Sequence, residues 1–488
     1  MGTSAVQCVS DVHPPPRYFR DNEEKSRFSI ERESHVSSWP CPRLFLTGLT
    51  VAIGGSFHFG FQISIINPMA EVLKEFIVDS LFNRLGLDIN GILWKIIWPT
   101  VAGILFIGCT IGAFVATPLM ERFGCKFSLL ASSIILLTSF LLTIGSKLFG
   151  MAELFFVSRF FCGIGVGMAT TASGVYLTEI SPIAFRGFMG SMIGLSTNIG
   201  FVSASAVGLP QLLGHQVVPS LILLLSTLFF FYESPFFLLR AKKRTEAVES
   251  IRAYIGRAED PFRMEQILCS MERELIIESS ESKNSGWIDL MRNRGARWAV
   301  IITEAIGFSE QGAALANFLA SFSGTAGAIL SSLTVDKVGR RGLLICSLIA
   351  LSVVNVLMML NVVVFISFQV LWTGYLFFAL MVIFLFVFSF GVGPLAWFLG
   401  TELTNHRAKV QSIGVSAQYI SCFLSPLIFY PLQNLCGPFS QLINIFPTAL
   451  TAIFLYYKLP ETRQRPTEEI VRELEGTNTA DKTSNLQG

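Results

Sequence analysis

The chain has 488 residues, of which 52% are hydrophobic and only 14% are charged, and its mean hydropathy is +0.58. Soluble domains carry about 25% charged residues, so this composition excludes a soluble globular protein and indicates an integral membrane protein. The net charge of +2 does not indicate a nucleic-acid-binding surface, because the basic residues are confined to particular loops. The nine cysteines show neither CxxC spacing nor the even ladder of secreted domains, and we interpret them as packing residues.

The amino end is polar up to Cys41 and lacks the apolar core of a signal peptide, so we interpret it as a cytosolic tail. Beyond it, apolar segments are long enough to cross about 30 Å of hydrocarbon. These predicted spans are 44–66, 93–118, 127–146, 152–176, 188–209 and 217–232, and then 299–335, 342–364, 373–400, 411–430 and 439–458. Because 299–335 has room for two short elements, the pattern predicts an all-α membrane protein with nominally twelve helices.

A polar block separates the two groups of spans and defines the domain organisation. It mixes basic and acidic residues from Glu233 to Arg297, and such a segment cannot lie in hydrocarbon. The predicted domains are a cytosolic amino tail (1–43), an amino-terminal six-helix bundle (44–232), a cytosolic central loop with short helices (233–298), a carboxyl-terminal bundle (299–458) and a cytosolic tail, disordered at its end (459–488). Lys and Arg concentrate on alternate loops, which predicts that both termini and the central loop are cytosolic.

The two halves repeat the same charged motifs. Glu121-Arg-Phe-Gly-Cys-Lys126 follows the second span and Asp336-Lys-Val-Gly-Arg-Arg341 follows the eighth. Acid and base also follow the fourth and the tenth spans, at nearly the same displacement. This repetition indicates duplication of a six-span unit, the organisation of transporters built from parallel repeats.

Charged groups at the cytosolic ends of neighbouring helices can hold two halves together while a cytosolic gate is closed. The alternative interpretation is that these residues only follow the positive-inside rule, although a Gly between acid and base in both halves argues against it. The candidate gate residues are Arg122, Lys126, Glu179, Arg186, Glu233, Asp336, Arg340, Arg341, Glu402 and Arg407.

Several further motifs occur in a fixed order. They are Gly55-Ser-Phe-His-Phe-Gly-Phe-Gln62 with Ile66-Asn-Pro68, Ser158-Arg-Phe160, Tyr176-Leu-Thr-Glu-Ile-Ser-Pro182, Glu233-Ser-Pro235, Val338-Gly-Arg-Arg341, Gly393-Pro394 with Trp397, and Leu459-Pro-Glu-Thr-Arg463. Together they resemble the facilitative hexose transporters, a branch of the sugar porters of the major facilitator superfamily, from about residue 41 to 465. Gly208-Leu-Pro-Gln-Leu-Leu-Gly214 resembles the fructose-transporting members. The resemblance implies two six-helix bundles with sugar bound between them near the membrane midplane.

The resemblance also implies the sugar site. Hydroxyl groups need amide donors and acceptors, and the apolar face of a sugar stacks on an aromatic ring. Gln311 matches a glutamine of helix seven, Trp397 the tryptophan of helix ten and Gln418 an asparagine of helix eleven. The alternative is that Trp397 is core packing and Gln418 an interhelical hydrogen bond. The remaining candidates are Gln62, Asn67, Glu310 and Asn198, the last in partial substitution for a fifth-span glutamine that aligns with Gly194.

The sequence departs from this family in several places. About twenty residues of the seventh span are missing after Gln311, so we predict a short hairpin with its turn near Gln311 to Asn317 and incomplete helices 7 and 8. The sixth span is also short. Cys125 and Phe236 stand where the family has arginines, which predicts a weaker latch in the amino half than in the carboxyl half.

The predicted function is facilitative uniport of a hexose such as glucose or fructose by alternating access, without cofactor or metal. Proton-coupled relatives have an Asp where Gln62 stands, and an amide does not titrate. Two alternatives remain: a transporter-like protein that no longer transports, such as a sensor, regulator or splice product, and a proton symporter using Glu304 or Glu310. No catalytic constellation indicates an enzyme. The expected partners are the sugar and the lipid bilayer, with no nucleic acid, and the expected location is the plasma membrane.

Overall fold

The structure is a computed structural model, and every regular element in its described residues is a helix. The described residues are 41–66, 69–86, 91–206, 217–255, 264–265, 267–272, 275, 314–368, 372–404, 406–463, 465 and 467–475. The amino half contains α1 Pro42–Gly54, α2 Ser56–Ser64, α3 Ala70–Leu85, α4 Gly91–Phe123, α5 Cys125–Phe149, α6 Ala152–Ile180, α7 Arg186–Ala206, α8 Val217–Phe229, α9 Pro235–Arg240 and α10 Arg244–Ile255. The carboxyl half contains α11 Ala314–Val338, α12 Arg340–Phe368, α13 Trp372–Phe390, α14 Val392–Ala396, α15 Leu399–Glu402, α16 Arg407–Cys436, α17 Leu442–Lys458 and α18 Thr467–Glu475.

Seven helical stretches in the described part of the chain are long and apolar enough to cross a membrane. They are Pro42–Ser64, Gly103–Phe123, Cys125–Phe149, Ala152–Ile180, Arg340–Val364, Tyr375–Ala396 and Phe439–Lys458. Many apolar side chains on their outer faces are exposed, as expected of surfaces that contact lipid. The chain is therefore a multi-pass, all-α membrane protein, as the composition predicts.

Of the two segments predicted to be short, one is short in the structure and the other forms a long helix. The sixth apolar segment forms α8, which has only 13 residues and is short as expected. The segment predicted as a hairpin contains α11, a continuous helix of 25 residues. Residues 314–317 of the predicted turn lie within this helix, because the Ala-rich run that begins there favours helix; 311–313 lie outside the described residues. The described part of α11 packs against α7 and α13.

A seam of glycines joins α4 to α6 in the amino bundle. A Cβ atom on Gly112 would lie 2.1 Å from the carbonyl oxygen of Ile164, and one on Gly167 would lie 2.0 Å from that of Cys109. Gly108 and Gly163, each four residues earlier, make equally close approaches. Small residues at this spacing allow two membrane helices to touch through their backbones.

The two bundles contact each other chiefly through two helix pairs, α4 with α16 and α7 with α11, and in addition through α6 with α16 and α7 with α14. Along the first pair, the Thr117 hydroxyl donates to the Ala408 carbonyl oxygen at 3.2 Å, and the Ser416 hydroxyl to the Thr110 carbonyl oxygen at 3.5 Å. The carboxyl-terminal helix α18 covers part of the carboxyl bundle and buries Ile470 in its core.

Candidate functional site

An aromatic cluster lies where the two bundles meet. Trp397, between α14 and α15, is 4% exposed, and its ring centroid lies 5.5 Å from that of Phe59 on α2 in an edge-to-face arrangement. Phe59 also lies 5.1 Å from Tyr419 on α16. The Gln411 amide donates to the Trp397 carbonyl oxygen at 2.7 Å, which satisfies a backbone group freed where the helix is broken.

Polar groups of both bundles surround this cluster. The Tyr419 hydroxyl donates to the Thr170 hydroxyl at 3.0 Å. Gln418 is half-buried on the turn of α16 that carries Tyr419. An aromatic surface with amide and hydroxyl groups beside it is the combination expected to bind a sugar.

Asn198 joins the two bundles by a separate polar contact. Its amide nitrogen donates to the Gly194 carbonyl oxygen at 2.8 Å, and its amide oxygen accepts a hydrogen bond from the Ser389 hydroxyl on α13 at 3.1 Å. A Cβ atom on Gly324 of α11 would lie within 3.0 Å of both polar side chains. Both polar ends of Asn198 are therefore engaged at a junction of three helices.

Gln62 pairs with a buried arginine in the amino bundle. The Arg159 guanidinium on α6 donates to the Gln62 side-chain oxygen and, at 3.4 Å, to its backbone oxygen. Both side chains are buried and line a small cavity between α2, α5 and α6. Glu153, which precedes Arg159 on α6, lies 3.7 Å from Arg84.

Three of the predicted sugar-binding residues, Asn67, Glu310 and Gln311, lie outside the described residues, as does Glu304. Phe59, Tyr419, Ser389 and Gln411 were not predicted. Phe59 belongs to the motif that ends at Gln62, so its place in that motif could have indicated it. The other three had no signal in the sequence alone, because each acts through a contact with the opposite bundle or across a helix break.

The carboxyl half has a network of charged groups beside the start of α12. The Arg340 guanidinium lies 2.8 Å from Asp336 and 3.3 Å from Glu402, and Arg340 is only 1% exposed. Glu461, after α17, accepts hydrogen bonds from the backbone N–H groups of Arg340 at 2.9 Å and Arg341 at 3.2 Å. Burial of a guanidinium is unfavourable unless nearby carboxylates offset its charge. Asp336 and Glu402 supply that compensation for Arg340.

The amino half repeats this geometry with weaker partners. Glu233, after α8, accepts hydrogen bonds from the backbone N–H groups of Lys126 at 3.1 Å and Ser234 at 2.9 Å. The Ser234 hydroxyl donates to Glu179, just as the Thr462 hydroxyl donates to Glu402 at 2.8 Å. Burial raises the pKa of the Glu233 carboxyl above its ordinary value of 4.5, although the Ser234 and Lys126 N–H groups act in the opposite direction.

A glycine with positive φ brings each carboxylate close to the backbone. Gly124 has φ of 94° and Gly339 has φ of 99°, and a Cβ atom on either would lie within 2.7 Å of the Glu233 or Glu461 carboxylate. The halves differ at the next residue, because the Cys125 thiol contacts Glu179 at 3.7 Å where the carboxyl half has Arg340. A weak thiol donor thus replaces a charged one.

Three contacts of these charged ends cross between the bundles. The Asp336 carboxylate accepts a hydrogen bond of 2.7 Å from the Phe188 N–H at the start of α7. The Arg407 guanidinium lies 4.7 Å from the centre of the Phe236 ring, and its own side chain also donates to Thr467 at 3.3 Å. Lys409 lies 4.0 Å from Glu121.

The other gate candidates lie around this network. Arg186 is buried and lines a crevice shared with Arg340 and Glu402. Arg341 donates to the Tyr456 carbonyl oxygen at 2.7 Å, whereas exposed Arg122 lies over the neighbouring Phe123 ring, at 5.3 Å. At this charged end, groups from both halves therefore contact one another.

The protein has two helical bundles of related construction. They meet at a buried polar and aromatic cluster and at one charged end, and this arrangement is that of a membrane transporter of the major facilitator fold. The model of the family described as sugar (and other) transporters matches residues 47–311 and 299–474, so the chain belongs to that family.

Known proteins agree with this assignment. A facilitated glucose transporter, member 3 of solute carrier family 2 from Gallus gallus, is 26% identical over 88% of this chain and 91% of its own length. A facilitated glucose transporter homolog from Caenorhabditis elegans is 25% identical over 96% of this chain and 98% of its own length. The proton:xylose symporter XylE, bound to a bromodeoxyglucose, superposes with a TM-score of 0.74 at 20% identity, covering 88% of this chain and 99% of that one. The chain's family and fold are those of sugar transporters of the membrane and not of enzymes.

Proposed function

We propose that this protein is a uniporter that lets a hexose such as glucose or fructose cross the plasma membrane down its concentration gradient, with both termini in the cytosol. Sugar binds between the bundles, where Trp397 supplies the stacking surface and Gln418 and Asn198 supply polar contacts. The charged ends of the two halves alternately close and open the cytosolic side of this site.

The observation that carries the choice of uniport is the Gln62–Arg159 pair. Arg159 keeps its charge at any physiological pH, and its hydrogen-bond partner is a neutral amide that neither gains nor loses a proton. The proton-coupled relatives have a carboxylate at the position of Gln62, where loss and gain of a proton can be linked to sugar movement. Replacement of that carboxylate by an amide removes the titration and leaves the sugar gradient as the driving force.

The test is uptake of radiolabelled glucose and fructose by the purified chain in proteoliposomes, with and without an inward proton gradient. A uniporter brings the internal sugar to the external concentration in both conditions and does so saturably. Accumulation above the external concentration under the proton gradient would overturn uniport, and Glu304→Gln and Glu310→Gln would then identify the carboxylate responsible. Absence of saturable uptake by correctly folded protein would mean that the chain no longer transports these sugars.

The site assignment has its own test in cells that lack hexose transporters. Trp397→Leu and Gln418→Ala should each reduce uptake while surface expression stays constant. Full activity in both variants would remove these residues from the sugar site.

A further inference from the structure

The cavity beside Arg159 has the properties of an anion site. It has a volume of about 20 Å³, which is enough for one occupant of the size of a water molecule. Gln62, Ser139 and Arg159 line its polar side, and Ile66, Met69 and Phe155 line its apolar side. The cavity is therefore small and lined by polar and apolar groups in similar measure, and it has a permanent positive charge in its wall.

Within the part of the chain that the structure describes, that positive charge lacks a counter-charge. Arg159 is 5% exposed, and its hydrogen bonds to described residues go to the amide and backbone oxygens of Gln62. Its Nε–H group has no hydrogen-bond partner, and no carboxylate among the described residues forms an ion pair with it. A buried guanidinium without an anionic partner is strongly unfavourable, because neither solvent nor a carboxylate offsets its charge.

We propose that this cavity binds one halide ion, chloride under physiological conditions, against the Arg159 guanidinium. A water molecule in the cavity would satisfy the Nε–H group but would leave the charge uncompensated. Sulfate and phosphate are too large for the cavity, and their several oxygens would require more free donors than this wall offers. The hydroxyls of Ser139, Thr143 and Ser158 already donate to the carbonyl oxygens of Leu136, Ser139 and Phe155, whereas the Arg159 Nε–H group is a donor without a partner among the described residues.

The experiment measures the apparent Tm of the purified full chain while sodium chloride replaces sodium gluconate at constant ionic strength. We expect a rise on the order of 2 °C that saturates with chloride concentration, because a ligand that binds only the folded state stabilises it. Bromide should act like chloride. Sulfate is a control, because it stabilises proteins through exclusion from their surface and its effect does not saturate. The same Tm in chloride and gluconate would overturn the proposal.

A charge-compensating variant supplies the second arm. Gln62→Glu places a carboxylate where Arg159 now meets an amide, so the chloride-dependent shift should fall to less than about a quarter of its original size. Gln441→Glu makes the same chemical change at a residue outside the cavity and should keep the full shift. Gln62→Asp is the replacement if Gln62→Glu does not fold. An undiminished shift in a folded Gln62 variant would place chloride elsewhere and overturn the proposal. These measurements require no sugar, so their result is independent of the proposed uniport.

Discussion

The Asp336 carboxylate of one bundle accepts a hydrogen bond of 2.7 Å from the Phe188 N–H group at the start of α7 in the other bundle. The first N–H groups of a helix have no partner within the helix, and the helix dipole favours an anion there. Asp336 is also paired with Arg340 at 2.8 Å. One carboxylate therefore links the charged network of the carboxyl half to the amino half.

Asp336→Asn should favour the state that is open at this end of the molecule. The amide still offers an acceptor to Phe188 but loses the charge, and a hydrogen bond to a charged group contributes about 1.5 to 3 kcal/mol. We expect a cysteine introduced at half-buried Ala408, beside the interface of α4 and α16, to react with an impermeant maleimide roughly 10-fold faster in this variant. The measurement is the labelling rate in inside-out vesicles, resolved by mass spectrometry.

Glu249→Asn is the control for this experiment, because Glu249 is an exposed acid on α10 that forms no ion pair with the other bundle among the described residues. Its labelling rate should equal that of the unmodified background. Equal rates in Asp336→Asn and the background would show that the Asp336 contact does not hold this end closed.

The stacking of Arg407 on Phe236 should contribute to stability across the bundles. We expect a double-mutant cycle of Arg407→Lys and Phe236→Leu to give a coupling free energy of about 1 kcal/mol, because a flat guanidinium stacks on a ring better than an ammonium does. The measurement is the free energy of unfolding in detergent. The exposed neighbours Arg122 and Phe123 form the control cycle and should show coupling near zero.

Phe59→Leu should weaken sugar transport although Phe59 was not among the predicted contacts. The Phe59 ring supports Trp397 by an edge-to-face contact, and such contacts contribute about 0.5 to 1.5 kcal/mol. We expect KM to rise by roughly 2- to 10-fold in uptake assays at constant surface expression. Phe322→Leu, at a 62% exposed position, should leave KM unchanged; unchanged KM in both variants would exclude a supporting role for Phe59.

Glu233→Gln should change the pH dependence of stability. Burial raises the pKa of Glu233 in the folded protein, so the folded state retains this proton to higher pH than the unfolded chain does. The contribution of Glu233 to stability is therefore complete below pH 4.5 and is lost as the pH rises through the raised pKa. Relative to the wild type, the Tm of Glu233→Gln should increase across this window and then level off. A difference that stays constant with pH in melting curves would contradict the shift.

Gly167→Ala should destabilise the amino bundle. The new methyl group would meet the Cys109 carbonyl oxygen, a backbone atom that cannot move aside independently, and overpacking typically costs about 1 to 3 kcal/mol. Gly145→Ala is the matched control on α5, because the nearest atom to its Cβ is 3.5 Å away and alanine favours helix. The Tm in detergent should fall only in Gly167→Ala. Equal values would show that the seam tolerates a methyl group.

The sequence predicted the features that depend on the bilayer. Apolar length located α1 and α2, α4 to α8, α12, α13, α16 and α17 because hydrocarbon thickness sets the length of a span, and the same argument predicted that α8 is short. It failed at residues 314–317, where counting residues for two crossings predicted a turn and the chain forms a continuous helix.

Contacts between distant segments were the part that sequence could not predict. The motif containing Glu461 was visible, but its two bonds to the start of α12 depend on how the chain returns after α17. Phe236 was interpreted as the loss of an arginine from the latch, whereas the structure places Arg407 of the other bundle over its ring. Position 236 therefore still takes part in a contact with a cation, which the other bundle supplies.

The glycine seam limits how the amino bundle can deform. The backbones of α4 and α6 touch at Gly108, Gly112, Gly163 and Gly167, where no side chain larger than hydrogen fits. Sliding one helix along the other would bring larger side chains to these positions, and they would clash with the backbone of the other helix. Shear within this pair is thus blocked, and α4 and α6 must turn together as a rigid body. A displacement of the carboxyl bundle against this unit would then fall on the contacts between the bundles, such as the hydrogen bonds Thr117–Ala408, Tyr419–Thr170 and Ser389–Asn198.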